Sequence, residues 1–124
     1  MPNNQTIISD LTRKHVRERQ NNFSPFGNWL GQSCHFHHVI GSGLGEKGVG
    51  YEWNVIALTC EEHMAIHQHQ PIKVYGLVKY TYDEAITIMK NHLKTHYPNW
   101  TEKKCKVHKG WEASDYEITR RNKL

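Results

Sequence analysis

Residues 34–70 read CHFHHVIGSGLGEKGVGYEWNVIALTCEEHMAIHQHQ, and this stretch decides the fold. Residues 35–40 and residues 53–58 are rich in strand-forming side chains and predict two short strands. The segment between them, residues 41–50, holds five glycines, which favour a loop because glycine is costly in regular structure. Thr59 and Glu62 have the spacing of a capping box, and the helix that they begin must end before Pro71. The order strand, loop, strand and capped helix predicts an α+β fold.

Two further helices are predicted on either side of this unit. Ser9 and Asp10 provide an N-cap for a helix over residues 11–20. A second capping box begins at Thr81, and behind it apolar side chains recur at helical spacing as far as Tyr97. We expect that apolar stripe, formed by Tyr82, Ile86, Met89 and Leu93, to pack in the core.

The remaining segments give weaker signals. Residues 23–32 contain Pro25 and two glycines and predict a loop, which we expect Phe23, Phe26 and Trp29 to anchor. Residues 71–80 are ambiguous. The tail after Trp100 is basic.

Composition limits the class of protein. With 124 residues, 37% of them apolar, and charges of both signs, the chain fits one small domain over residues 1–124. No run approaches the roughly 18 apolar residues of a membrane helix, and the first ten residues lack the pattern of a secretory signal. Three cysteines at irregular spacing do not form a disulfide framework, so a reducing cytoplasm is the expected compartment.

Histidine is the unusual residue type, because six of the ten histidines lie between residues 34 and 70. His63 and His67 are four apart on the predicted helix and therefore share a face, as a pair of metal ligands would. His37 and His38 are adjacent on the first predicted strand, so their side chains point to opposite sides. Only one of them can join the helical pair as a third ligand. The other is left beside the ion, where a general base would stand.

The unit resembles the HNH nuclease motif, a ββα-metal fold also called the His-Me finger. The matching elements are His37-His38-Val39-Ile40, then Asn54 through Leu58, then His63 and His67 on a helix. Asn54 precedes His63 by nine residues and His67 by thirteen, as in three-histidine members such as the colicin DNases. The resemblance implies a core over residues 34–70 with flanking helices, a basic N-terminal arm over residues 1–33 and a helical, basic C-terminal extension over residues 71–124. The chain lacks the paired Cys-x-x-Cys motifs with which many relatives hold a second zinc.

Carried over residue by residue, the resemblance implies a mechanism. His37, His63 and His67 bind one divalent metal ion, and His38 takes a proton from the water that attacks a phosphodiester. Asn54 ties the glycine-rich loop to the unit and orients the backbone that holds His38. Three nitrogen ligands favour Zn, Ni or Mn over Mg, which prefers oxygen.

The implied substrate is DNA, duplex or branched, cleaved with little base-sequence specificity or by structure. The opening His-His-Val-Ile-Gly-Ser-Gly and the small size are most similar to phage-type recombination or DNA-processing nucleases, which would act in a bacterial or phage-infected cytoplasm. Basic side chains on both flanks are candidates for phosphate contacts, which position a duplex without reading its sequence. These candidates are Arg13, Lys14, Arg17, Arg19, Lys103, Lys104, Lys106 and Lys109.

Two other classes of protein remain open at this point. A non-catalytic, zinc-stabilised nucleic-acid-binding module would use Cys34, Cys60, His63 and His67 as a closed ligand set. It leaves His37 and His38 without a role, and we therefore rank it second. A metal-independent interaction protein, with histidines only on its surface, is the third class.

Overall fold

The computed structural model describes residues 4–41 and 47–107 and has the mixed α+β composition that the sequence predicts. It contains two separate two-stranded antiparallel sheets, β1–β2 and β3–β4. The helices and strands, in chain order, are α1 (Asp10–Arg19), β1 (His35–His38), β2 (Val55–Leu58), α2 (Cys60–His67), β3 (Ile72–Val74), β4 (Leu77–Tyr80) and α3 (Tyr82–His96). Residues 42–46 of the glycine-rich segment and the basic tail beyond residue 107 lie outside the described residues.

The β1–β2 pair is shorter than the predicted strands. Its register runs from His35 opposite Leu58 to His38 opposite Val55. Beyond His38 one more backbone bond joins the amide of Val39 to the carbonyl of Asn54, and the side chain of Asn54 then bonds both backbone groups of Ile40. Residues 52–54 form a 3-10 turn instead of extending β2. A side chain therefore ends the hairpin where the sequence predicted more strand.

Helices cover both faces of this hairpin. Val55 and Ala57 of β2 pack with Val16 of α1 on one face. Ile56 and Leu58 face the other way, into a larger core that includes Ile66 of α2 and the apolar stripe of α3. All four residues of β2 are buried, because the strand lies between two layers. Residues 35, 37, 56 and 58 therefore share the face toward α2, since directly paired residues point to the same side.

The outer edge of β2 is closed by two side chains from the end of α1. Gln20 donates to the carbonyl of Ala57 at 2.9 Å and accepts from its amide at 2.8 Å. Arg19 donates to the carbonyl of Val55 at 2.7 Å and to that of Glu52 at 2.6 Å. These bonds satisfy an edge that would otherwise leave buried backbone groups without partners.

Both predicted capping boxes are confirmed. The Thr59 hydroxyl accepts from the amide of Glu62, and the Glu62 carboxylate accepts from the amide of Thr59 at 2.7 Å. The same buried carboxylate also accepts from Ser24 at 2.6 Å and Asn28 at 2.8 Å. Glu62 thus ties the start of α2, which carries the histidine pair, to the loop of residues 23–32. In that loop Phe26 is buried, whereas Phe23 and Trp29 remain partly exposed and contact each other, so only Phe26 anchors it as predicted.

The ambiguous residues 71–80 form the β3–β4 hairpin. Its turn residues Tyr75 and Gly76 both have positive φ, at 49° and 83°. Two successive positive φ values are typical of the tight turn that usually carries Asn-Gly, and a tyrosine in the first position hides that signal in the sequence. The amide of Tyr75 donates to the side chain of Asn28. No helix within the described ranges is both long and apolar enough to cross a membrane.

The contact between α1 and α3 predicts a pH dependence of stability. His92 accepts a hydrogen bond from Arg19 at 3.2 Å, and burial, the charge of Arg19 and the neighbouring His96 lower the pKa of His92 to about 3. In the unfolded chain a histidine takes up its proton near pH 6.5. The contribution of His92 to stability is therefore complete above about pH 6.5 and is lost as pH falls from there toward 3.

We expect His92→Gln, which keeps a side-chain acceptor without an ionisable ring, to lose less stability than the parent between pH 7 and 5. Urea unfolding of both metal-free proteins across this range measures the difference. Parallel pH profiles for the two proteins would contradict the assignment.

Candidate metal centre

Three of the predicted site residues converge on one side of the β1–β2 hairpin. His37 lies on the face of β1 that is turned toward α2, and α2 presents His63 and His67 one turn apart. One ligand nitrogen from each ring can be chosen so that all three atoms lie within 4.8 Å of one another. The ring centroids are 5.3 Å apart for His37 and His63, 5.8 Å for His37 and His67, and 4.6 Å for His63 and His67. This group could hold a metal ion.

The chemistry of the donor set fits a borderline divalent cation. Three imidazole nitrogens suit Zn, Ni or Mn better than Mg, whose preferred ligands are oxygens. Three protein ligands also leave a coordination position for water or substrate, as catalytic zinc sites do. His67 is exposed, so the group opens to solvent.

Burial and the neighbouring histidines keep His37 and His63 in the neutral form, which is the form that binds metal. Burial, reinforced by His63, His67 and His38, lowers the pKa of His37 to about 3. Burial, followed by the charges of His67 and His35, also lowers the pKa of His63. Both imidazoles are therefore neutral near pH 7, with a lone pair available to a cation.

His38 does not join this group. Its Nε2 lies 2.8 Å from the carbonyl oxygen of Thr6, in the segment before α1. On the same face of β1, the ring of Phe36 lies under the guanidinium of Arg13, whose Cζ is 5.6 Å from the ring centroid. The two adjacent histidines thus point in opposite directions, as strand alternation requires.

Asn54 is fully buried and joins the two described ends of the glycine-rich segment. Its Oδ1 accepts from the amide of Ile40 at 2.8 Å, and its Nδ2 donates to the carbonyls of Ile40 at 3.0 Å and Val49 at 2.8 Å. Gly48 lies so close to the backbone of Ile40 that a Cβ added to this glycine would be 1.7 Å from the Ile40 carbonyl oxygen. Asn54 therefore fixes the backbone that leaves β1 two residues after His38.

The three cysteines lie outside the histidine group. Cys34 packs beside Val55 and Ala57 on the α1 face and accepts a hydrogen bond from Arg17 at 3.1 Å. Cys60 is exposed and Cys105 is buried. Among the described residues, the histidine pair of α2 groups with His37 and with no cysteine, so the closed Cys₂His₂ set is not assembled.

The basic candidates divide into two kinds. The guanidinium of Arg19 donates hydrogen bonds to Glu52, Val55, Tyr97 and His92. The guanidinium of Arg17 donates to Asn22, Cys34 and the carbonyl of Gly31. These two arginines hold the fold together. Lys104 is half-buried and donates to the carbonyl of Asn99. The exposed basic candidates are Arg13, Lys14, Lys103 and Lys106, and Lys109 lies outside the described residues.

One histidine of the site was not assigned from the sequence. His35 lies two residues before His37, on the same face of β1, and its Nδ1 is 3.0 Å from Nδ1 of His63. The alternation of side chains along a strand could have identified it, since residues i and i+2 point the same way.

The histidine group lies on an open surface. A groove of about 980 Å³ runs along a different side of α2, between that helix and the β3–β4 hairpin. Trp29, Met64 and Tyr75 line it, and none of the three grouped histidines does. The candidate site opens to solvent at His67 and lies outside this groove.

Comparisons with known proteins give no assignment. No family model, no curated protein and no solved structure matches the chain. The chemistry of the site therefore has to carry any statement about function.

Metal should stabilise the folded chain. A ligand that binds only the folded state adds about 2.7 kcal/mol at a hundred times its dissociation constant. We expect the zinc-loaded protein to melt several degrees above the chelator-treated protein, and His67→Ala to lose this difference. Differential scanning calorimetry with and without added zinc measures it, and superimposable melting curves for the parent protein would count against the site.

Removing the Asn54 side chain should be costly, because it leaves three backbone groups without partners, each worth about 1–3 kcal/mol when buried. We expect Asn54→Ala to lose about 3 kcal/mol or more of unfolding free energy. Asn91→Ala, at an exposed position of α3, is the control and should change stability by less than about 0.5 kcal/mol. Equal effects in urea titrations of the two variants would show that the Asn54 bonds contribute little.

Proposed function

We propose that this protein is a metal-dependent DNA endonuclease of the HNH type. The proposal rests on the different positions of the adjacent residues His37 and His38. His37 joins His63 and His67 in a group that could hold a cation, while His38 is held apart by the carbonyl of Thr6. A strand–strand–helix unit that presents both features is what a ββα-metal nuclease requires.

The contact of His38 supports its role as general base. A carbonyl oxygen can only accept, so Nε2 of His38 carries the proton in this bond. In a neutral imidazole the other nitrogen, Nδ1, then has a free lone pair. His38 is thus oriented by one nitrogen and can accept a proton from water with the other. General-base action of this kind contributes typically about 10²–10⁴-fold to the rate.

His37, His63 and His67 would hold the cation, and His38, the next residue along β1, would supply the base. A divalent ion there would supply positive charge for the scissile phosphate and for the leaving 3′ oxygen, as Lewis-acid metals do in phosphodiester hydrolysis. Asn54 would keep the backbone after His38 in place, so that the base keeps its orientation. The role of Asn54 is positional, because the side chain is fully buried.

Exposed basic side chains favour a polyanionic macromolecule as the substrate. The histidine group is open to solvent, and Arg13 lies on the same face of β1 as His38. Arg13, Lys14, Lys103 and Lys106 are exposed and would contact phosphates, with Lys109 as a further candidate from the tail. Phosphate contacts position DNA without reading its sequence. We therefore propose duplex or branched DNA as substrate, cut with little sequence specificity or by structure, in the cytoplasm of a bacterial or phage-infected cell.

A plasmid-nicking assay tests the proposal. The parent protein should nick supercoiled DNA with added Zn, Ni or Mn, and a chelator should abolish this nicking. His38→Ala should lose about a hundredfold or more of the rate while keeping its metal. His63→Ala and His67→Ala should lose metal and cleavage together.

The matched control is His69→Phe, which removes a nearby exposed imidazole but keeps a ring against Tyr82. It should nick like the parent. Parent-like nicking by His38→Ala, or loss of metal from that variant, would contradict the assignment of the base. A parent protein that binds metal and DNA but never nicks would favour the non-catalytic, zinc-stabilised module.

A further inference from the structure

His35, His63 and His67 form a chain of three rings. Nδ1 of His63 lies 3.0 Å from Nδ1 of His35, and Nε2 of His63 lies 3.0 Å from Nε2 of His67. His63 therefore faces a histidine with each of its two nitrogens. His35 is not a member of the group that could hold the cation, and its Nδ1 lies against Nδ1 of His63.

Each of these close nitrogen pairs needs a proton or a cation between its two nitrogens, because two bare lone pairs or two N–H groups would repel each other at this distance. A neutral His63 has a single proton to place. If His63 carries it on Nδ1, it donates to His35 and its Nε2 lone pair is available. If His63 carries it on Nε2, that nitrogen cannot bind a cation. The proton position on His63 therefore decides whether the ring is a competent ligand.

We propose that His35 is a positioning residue that accepts a hydrogen bond from Nδ1 of His63. This bond holds His63 in the tautomer whose Nε2 lone pair points toward His37 and His67. The inference rests on the metal site of the proposed function, and it adds a role that the resemblance does not assign. Ligating histidines commonly use their second nitrogen in this way, and loss of the outer partner costs about 10–100-fold in metal affinity.

The chain offers a matched pair of variants. His35→Leu removes the acceptor, whereas His35→Asn places a side-chain oxygen about where Nδ1 stands. Zinc affinity is measured by competition with a chromophoric chelator. We expect His35→Leu to bind zinc about tenfold or more weakly and His35→Asn to stay close to the parent. His69→Phe, outside the chain of rings, should also bind like the parent. Unchanged affinity in His35→Leu, or an equal loss in the leucine and asparagine variants, overturns the proposal.

A second measurement does not depend on any variant folding. Long-range ¹H–¹⁵N spectra of the zinc-loaded parent report which nitrogen of each histidine carries the proton. We expect His63 to be protonated on Nδ1, with the Nδ1 of His35 unprotonated. A proton on Nδ1 of His35, or on Nε2 of His63, overturns the assignment.

The two proposals fail in different ways. If the parent binds zinc, and His35→Leu weakens binding while the parent never nicks DNA, the nuclease proposal fails and the role of His35 stands. If the parent nicks DNA and His35→Leu does not change the zinc affinity, the proposed role of His35 fails and the nuclease proposal stands. A parent protein that binds none of Zn, Ni and Mn overturns both.

Discussion

The antiparallel pairing of β1 with β2 is the interaction on which the rest of the structure depends. Its register places His35 and His37 opposite Leu58 and Ile56, on the side where α2 packs. The same alternation sends His38 to the opposite face, against the segment before α1. A slip of one residue would exchange the side chains on the two faces of β1 and would turn His37 away from His63 and His67 on α2. The register is held by the apolar residues of β2, all of which are buried.

The polar interactions around the hairpin serve this placement. Gln20 and Arg19 close the free edge of β2, and Glu62 secures the start of the helix that carries His63 and His67. Asn54 ends the hairpin and fixes the backbone beyond His38. Each of these side chains bonds backbone or loop groups that are remote in the chain. The small domain thus uses buried polar contacts to hold the positions of its histidines.

The sequence predicted those parts of the fold that depend on local signals. The three helices begin at residues whose capping is visible in the sequence, and Thr59 and Thr81 cap them as expected. Two periodicities, alternation in the strand and the four-residue spacing on the helix, limited the third ligand to His37 or His38, and the resemblance to the HNH motif selected His37, which the structure groups with His63 and His67. Both signals are local, and both survive in the folded chain because the layers around β2 bury the expected apolar residues.

Tertiary contacts explain what the sequence could not predict. Arg17 and Arg19 look like a basic surface in the sequence, but they bond groups far along the chain that only folding brings near. The Tyr75-Gly76 turn lacks the usual residue pair, and Asn28 from a distant loop bonds its backbone. His35 lies on the same face of β1 as His37, but its contact with His63 depends on how α2 packs on the hairpin. Local patterns thus predicted the elements and the histidine pair of α2, and the resemblance added His37, whereas the tertiary contacts between the elements needed the structure.

The central claim is that three imidazoles, and no cysteine, form an open site for a divalent cation. X-ray absorption at the zinc edge of the zinc-loaded protein tests this claim most directly. Zinc–nitrogen distances in proteins are about 2.0–2.1 Å and zinc–sulfur distances about 2.3 Å, so the two kinds of ligand are resolved. We expect three imidazole nitrogens, light atoms in the remaining coordination positions and no sulfur. A sulfur shell, or fewer than three imidazoles, would contradict it.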